Sequence, residues 1–297
     1  MKPYEEKRAK LKNGEKIYFR VRKGGEHPLV LIHGNMVSSE NLDVLMSALS
    51  DDFTVYAVDL RGFGRSSYEQ PIESIRDFSE DLRLLTRALK LKRFSITGWS
   101  LGGNVAMRYA LDYPDDVHRL ILLAPGSAKG FPMRKKRLGI FPTKQFLKSK
   151  QEVESAVRKV ARIQKKNRRK LAKWILKKGL YTHRTPNDAR MTKYIDAFLS
   201  QRNLADVNYA LTTFNLTDQY NGVVEGTNEI HKLNKPVLIL HGEDDKVVPP
   251  VVSSDNRAFI GENAQVETFK DAGHALHFDH DETIAKRHHT FLLDKKE

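Results

Sequence analysis

Short, continuously apolar segments recur along this chain, and amphipathic helical segments separate them. Leu29-Val30-Leu31-Ile32, Thr54-Val55-Tyr56-Ala57-Val58, Phe94-Ser95-Ile96-Thr97 and Leu120-Ile121-Leu122-Leu123 have almost no polar positions. A strand that is apolar at every position is buried on both faces, as in a parallel sheet covered by helices. Ser39–Leu49, Ser74–Lys90 and Leu101–Tyr113 carry apolar residues at helical spacing and lie between these runs. The rhythm is βαβα, and it predicts an α/β fold with a mostly parallel sheet. A strand over Ile17–Val21 precedes it.

The rhythm breaks at Pro125-Gly126 and resumes at Pro236 with Val237-Leu238-Ile239-Leu240, then Val266-Glu267-Thr268-Phe269, then a helix near Glu282–Leu293. The stretch between is too long for a connection. Residues 127–228 are therefore expected to form a helical cap inserted after the fourth core parallel strand. Residues 1–126 and 229–297 then form the core domain. Val153, Val157, Val160 and Ile163 make one apolar stripe in the insert, and Met191, Tyr194, Ile195, Phe198 and Leu199 another.

The chain has 297 residues and a net charge of +14. The charge is concentrated. Residues 127–228 hold 23 Lys and Arg against 7 Asp and Glu, a net of +16, while the remainder is close to neutral at −2. Arg158, Arg162, Lys165, Lys166 and Arg169 line the polar side of the first insert helix. The simplest reading is a solvated face. An anionic surface, either a polyester granule with its coat or a lipid headgroup layer, is the second. Nucleic acid is the third and is not expected, because the insert holds no recognised binding motif. The chain contains no cysteine, which excludes disulfides, thiolate metal sites and a cysteine nucleophile. No apolar run reaches the roughly 20 residues of a membrane span, and the charged start Met1–Arg8 is unlike a signal peptide. A cytoplasmic location is the expectation.

Gly98-Trp99-Ser100-Leu101-Gly102 joins the third buried run to a helix. This is the G-x-S-x-G elbow in its required strand–turn–helix context. A serine hydroxyl needs a base, and a base needs an orienting acid, in the chain order Ser, acid, His. Asp244 and Asp245 both follow the strand ending at Leu240, and Gly242-x-x-Asp245 before Val247-Val248-Pro249 favours Asp245. Asp244 is then a solvated loop residue or a turn acceptor. His274, in Asp271-Ala272-Gly273-His274, follows the last strand and is the expected base. His277 and His280 make His-x-x-His spacings with it, but no carboxylate–histidine helix motif accompanies them, so no metal is expected. His288 and His289 are expected on the surface of the last helix. The N–H groups of Leu101, at a helix N-terminus, and Asn35, after His33-Gly34, are the expected oxyanion donors. His33 is expected to bond its own loop, and Asp59 to shape the turn through Gly62 and Gly64.

Together, His33-Gly34-Asn35, Asp59 to Ser66, Gly98 to Gly103, Gly242 to Pro249 and Gly273-His274 resemble the α/β-hydrolase superfamily. The resemblance implies ester hydrolysis by Ser100, Asp245 and His274 with no cofactor. Within the superfamily, Trp99 before the serine is similar to the elbow of intracellular short-chain-length polyhydroxyalkanoate depolymerases of Bacillus-type bacteria. That finer resemblance implies cleavage of stored poly(3-hydroxybutyrate) to oligomers and monomer; Trp99, beside Ser100, is a candidate substrate-binding residue. A small-molecule carboxylesterase or lactonase, with the cap closing a pocket, is the alternative. A ligand sensor on a hydrolase scaffold is a third reading. Epoxide hydrolases and haloalkane dehalogenases are excluded, because their nucleophile is aspartate and this chain has Ser100.

Overall fold

The computed structural model describes residues 2–137 and 141–293. In chain order the core opens with β1 (Glu5–Lys10), β2 (Lys16–Arg22) and β3 (His27–Ile32). Next come α1 (Asp43–Ala48), β4 (Phe53–Val58), α2 (Ile75–Ala88), β5 (Phe94–Trp99), α3 (Leu101–Asp112) and β6 (Val117–Leu123). The insert follows: β7 (Arg134–Arg137), β8 (Phe141–Phe146), α4 (Lys150–Lys165), α5 (Arg169–Gly179), α6 (Asp188–Ser200) and α7 (Leu204–Thr213). The core resumes with β9 (Val237–Gly242), α8 (Val251–Ile260), β10 (Ala264–Phe269), α9 (Leu276–Asp279) and α10 (Asp281–Leu293).

Eight strands form one sheet in the order β1-β2-β4-β3-β5-β6-β9-β10. The β1–β2 and β2–β4 pairs are antiparallel, and every other pair is parallel. The apolar runs explain the burial. Val30 and Ile32 join the core beneath α2 and α3, and Leu29 and Leu31 join the core beneath α1 and α10. Successive side chains of a strand point to opposite faces, so a run apolar throughout feeds both cores.

The structure differs from expectation in three elements. β1 went unforeseen because it is a charged edge strand, exposed along most of its length, with no alternation to betray it. The Ser39–Leu49 helix starts as a 3-10 turn over Ser39–Leu42, capped by Ser38, before α1. The insert, expected to be wholly helical, also carries the antiparallel hairpin β7–β8. Its strands are short, charged and interrupted by Pro142, which hides a period of two.

The insert is anchored through buried polar groups as well as apolar ones. Asp43 of α1 accepts from Arg190 Nε at 2.8 Å and from the Tyr194 hydroxyl. Tyr194 stacks on Tyr181, whose hydroxyl accepts from Asn41 Nδ2 at 2.9 Å. A carboxylate with these donors needs both helices in register, which fixes how α6 sits on the core.

Candidate active site

Ser100 occupies the turn between β5 and α3, with φ +55° and ψ −118°. Positive φ in a residue with a Cβ costs on the order of 1–3 kcal/mol, and it persists only where the surroundings impose it. Here they do. The Ser100 N–H donates to Leu123 O at 3.0 Å, and the Ser100 carbonyl accepts from Gly103 and Gly126 N–H groups at 2.8 and 3.2 Å. The turn closes because both flanking positions are glycine. A Cβ on Gly98 would lie 2.2 Å from Gly102 O, and one on Gly102 would lie 2.3 Å from Ile32 O.

Asp245 follows β9 and is buried. Its Oδ1 accepts from the N–H groups of Val247 and Val248 at 2.8 and 2.9 Å. Its Oδ2 accepts from His274 Nδ1 at 2.7 Å and from His241 Nε2 at 3.0 Å. Burial pushes this carboxyl up. The donors from His241, His274 and Val248 outweigh burial and hold it well below the usual carboxylate range. With Nδ1 donating to Asp245, a neutral His274 carries its lone pair on Nε2. Asp244 is exposed and faces His183 at 3.2 Å, away from His274.

Ser100 and His274 line one cavity of about 270 Å³, and Asn35 and Leu101 line it beside them. Leu101 is the first residue of α3, where the helix presents N–H groups and a partial positive charge. Phe131, Ile175, Leu176, Leu180, Phe198 and Leu211 make the remaining wall largely apolar. All six come from the insert, and Ile175, Leu176 and Gly179 of α5 form its roof.

Trp99 is not at the cavity, which corrects the expectation that it meets substrate. It is 1% exposed, and its indole N–H donates to the His274 carbonyl at 2.8 Å. Its ring packs against the His274 imidazole at 5.7 Å and against His277 at 4.5 Å. The cause is strand alternation: Ser100 projects at the turn, so the preceding side chain points under the loop that carries His274. Trp99 thus packs beneath the loop that carries His274.

His33, His277 and His288 do not line the cavity. His33 donates from Nδ1 to Gly34 O at 2.7 Å and accepts from Leu60 N–H at 3.0 Å, which ties the Asn35 loop to the turn after β4. Asp59 accepts from Ser39 and Arg65 N–H groups at 2.8 Å each and shapes that turn. His277 is buried and donates to Asn41 O, whereas His280 lies on the surface against Lys270 and Asp271 carbonyls. His288 is buried, contrary to expectation. Its Nδ1 donates to Ile284 O at 2.7 Å and its Nε2 accepts from Thr97 Oγ1 at 3.0 Å. These bonds make burial of a neutral imidazole tolerable. His289 is exposed.

Two site residues escaped sequence reading. His241 is wholly buried behind Asp245, and its Nε2 also donates to Val248 O at 2.9 Å while Ser253 Oγ lies 2.6 Å from Nδ1. The available signal was a lone polar residue closing an otherwise apolar strand. Gln201, between α6 and α7, donates from Nε2 to Asn35 Oδ1 at 2.9 Å and so links the insert to the loop beside Ser100. No local pattern marks a bond across 166 positions.

Residues 27–281 match the sequence profile described as the alpha/beta hydrolase fold. The chain belongs to the α/β-hydrolase family. Solved structures superimpose on nearly all of it. An esterase from Exiguobacterium antarcticum aligns with a TM-score of 0.73 at 20% identity, covering 96% of this chain and 98% of the other. The enol-lactonase from Burkholderia xenovorans LB400 aligns with a TM-score of 0.74 at 20% identity, covering 98% and 100%. Among curated relatives, a pimeloyl-[acyl-carrier protein] methyl ester esterase from Proteus mirabilis is 35% identical over 37% of this chain and 40% of its own length. A 1-acylglycerol-3-phosphate O-acyltransferase, ABHD5, from Rattus norvegicus is 36% identical over 44% of this chain and 38% of its own. The chain thus aligns with well under half the length of these curated relatives.

Proposed function

We propose that this α/β hydrolase cleaves carboxylic esters through an acyl-enzyme on Ser100. His274 Nε2 takes the Ser100 proton as Oγ attacks the ester carbonyl. The oxyanion accepts hydrogen bonds from the N–H groups of Asn35 and Leu101. The tetrahedral intermediate collapses, and the alcohol leaves with the proton that His274 carries. Water then attacks the acyl-enzyme, gives its proton to His274, and releases the acid as Ser100 recovers a proton. Asp245 stays ionised and holds the imidazole in the tautomer this sequence requires. The reading is carried by one observation: a strained serine and an Asp-bound histidine face the same apolar-lined cavity.

The insert roofs that cavity, which favours a small ester with an apolar acyl or alcohol group over a polymer chain held in an open groove. A panel of p-nitrophenyl esters, lactones and amorphous poly(3-hydroxybutyrate) granules tests this. Short-chain esters are expected to turn over, with kcat/KM falling as the acyl chain outgrows the cavity and with no 3-hydroxybutyrate released from granules. Granule cleavage exceeding small-ester turnover would restore the depolymerase reading. A panel without any turnover would remove ester hydrolysis.

A further inference from the structure

The cavity roof has an outer side that the ester chemistry leaves unexplained. Helix α5 reads Arg169-Lys170-Leu171-Ala172-Lys173-Trp174-Ile175-Leu176-Lys177-Lys178-Gly179. Its inner face is spoken for: Ala172 and Leu176 are buried, and Ile175, Leu176 and Gly179 line the cavity. Positions 170, 171, 174, 177 and 178 fall on the opposite face at helical spacing. That face carries Trp174 at 61% and Leu171 at 42% exposure, flanked by exposed Lys170, Lys177 and Lys178.

Isolated exposed apolar residues are ordinary, but a tryptophan and a leucine one turn apart within a ring of lysines form a patch. The flanks of α5 are held down, with Arg169 paired to Asp196 at 2.5 Å and Lys173 to Asp188 at 3.1 Å. Among the described residues, no carboxylate pairs with Lys170, Lys177 or Lys178. The turn leading into α5 adds exposed Lys165, Lys166 and Arg168. The fixed charge is therefore positive and unneutralised around an apolar centre.

We infer that the outer face of α5 docks on an anionic lipid bilayer, with Trp174 and Leu171 entering the headgroup–acyl boundary and the lysines meeting lipid phosphates. The inner face of α5 serves the cavity, which leaves the outer face alone to dock: an exposed aromatic and an aliphatic anchor ringed by lysines combine apolar insertion with attraction to anionic lipid. Its exposed tryptophan and leucine can enter an interface, whereas a nucleic-acid strand is tracked by a basic groove with stacking aromatics. Location adds a reason. The α5 C-terminus reaches Val247, whose Cγ2 would be 3.7 Å from a Cβ on Gly179. Val247 and Phe131 line the cavity and remain 38% and 45% exposed. Docking through α5 thus brings the cavity roof to the bilayer, where apolar esters concentrate.

The chain has two tryptophans, and Trp99 is already buried, so an emission change on binding reports Trp174. The Ser100→Ala protein, which keeps binding separate from turnover, is mixed with vesicles of phosphatidylcholine alone or with 30% phosphatidylglycerol. Co-sedimentation and a blue shift of tryptophan emission are expected only with the anionic vesicles, and both are expected to fade at high salt. Trp174→Ala is expected to remove the shift and weaken partitioning. The triple variant K170Q/K177Q/K178Q is expected to lower the partition coefficient roughly 10²-fold, each lysine counting about fivefold at an anionic surface. Unchanged far-ultraviolet circular dichroism in both variants shows that they are folded. No partitioning at low salt, partitioning indifferent to these four residues, or tighter association with an oligonucleotide or a polyester granule would each overturn the assignment.

Discussion

Ser100→Ala is expected to lower kcat for p-nitrophenyl butyrate by at least about 10⁴-fold with little change in melting temperature. The hydroxyl is the only atom removed, and the backbone that imposes φ +55° is held by bonds from Leu123, Gly103 and Gly126. Asp245→Asn is expected to cost about 10³- to 10⁴-fold in kcat. An amide at that position turns a donor toward His241 or His274 and favours the wrong imidazole tautomer. Asp244→Asn serves as the control. Its carboxylate is exposed and faces His183 rather than His274, so kcat should stay close to that of the parent. Steady-state kinetics on the three variants checks all of this. Equal losses for Asp244 and Asp245 would refute the assignment of the acid.

The second large effect is on stability in acid. His277 and His288 are fully buried, and burial lowers them from the ordinary histidine value to about 3 and about 4. His33 is lowered in the same direction, also by burial. In the unfolded chain these groups titrate near 6.5. Between that value and their folded values, the unfolded state binds protons that the folded state refuses. Their effect on stability is therefore nil above about pH 7 and grows as pH falls below 6.5. Each histidine costs about 1.4 kcal/mol per pH unit, so His277 and His288 together remove about 4 kcal/mol by pH 5. That is a large part of an ordinary domain's 5–15 kcal/mol. Asp245 acts lower on the scale. Its folded value is depressed, so its contribution is complete above about pH 4 and is lost only in stronger acid. Urea unfolding at pH 7 and pH 5 measures the loss, and His288→Gln should flatten the slope by about half of that pair's share. A pH-independent stability over this range would contradict the burial of these imidazoles.

The parallel core was legible because a strand buried on both faces leaves an unmistakable mark: Leu29–Ile32 and Leu120–Leu123 have no polar face at all. The elbow was legible for a related reason. Its two glycines answer a local clash that any side chain at Gly98 or Gly102 would create. What escaped notice was non-local or unpatterned. The edge strand β1 is charged and exposed, and the hairpin β7–β8 is rich in charge, so no periodicity records them. His288 looked like a surface residue because its neighbours in sequence are polar, and its partner Thr97 lies 191 positions away. Trp99 was expected to face substrate by its place beside Ser100, yet alternation along β5 turns it beneath His274. The support for the acid by His241, and for the Asn35 loop by Gln201, likewise depends on tertiary contact.

All of this chemistry requires that one hydroxyl, on a strained turn, be activated by an imidazole from the other end of the chain. A fluorophosphonate probe reads this most directly. A single phosphonyl adduct is expected, located on Ser100 by peptide mass spectrometry, with its near-complete loss in His274→Ala. Labelling absent from the folded wild-type protein, or placed on another residue, would contradict it.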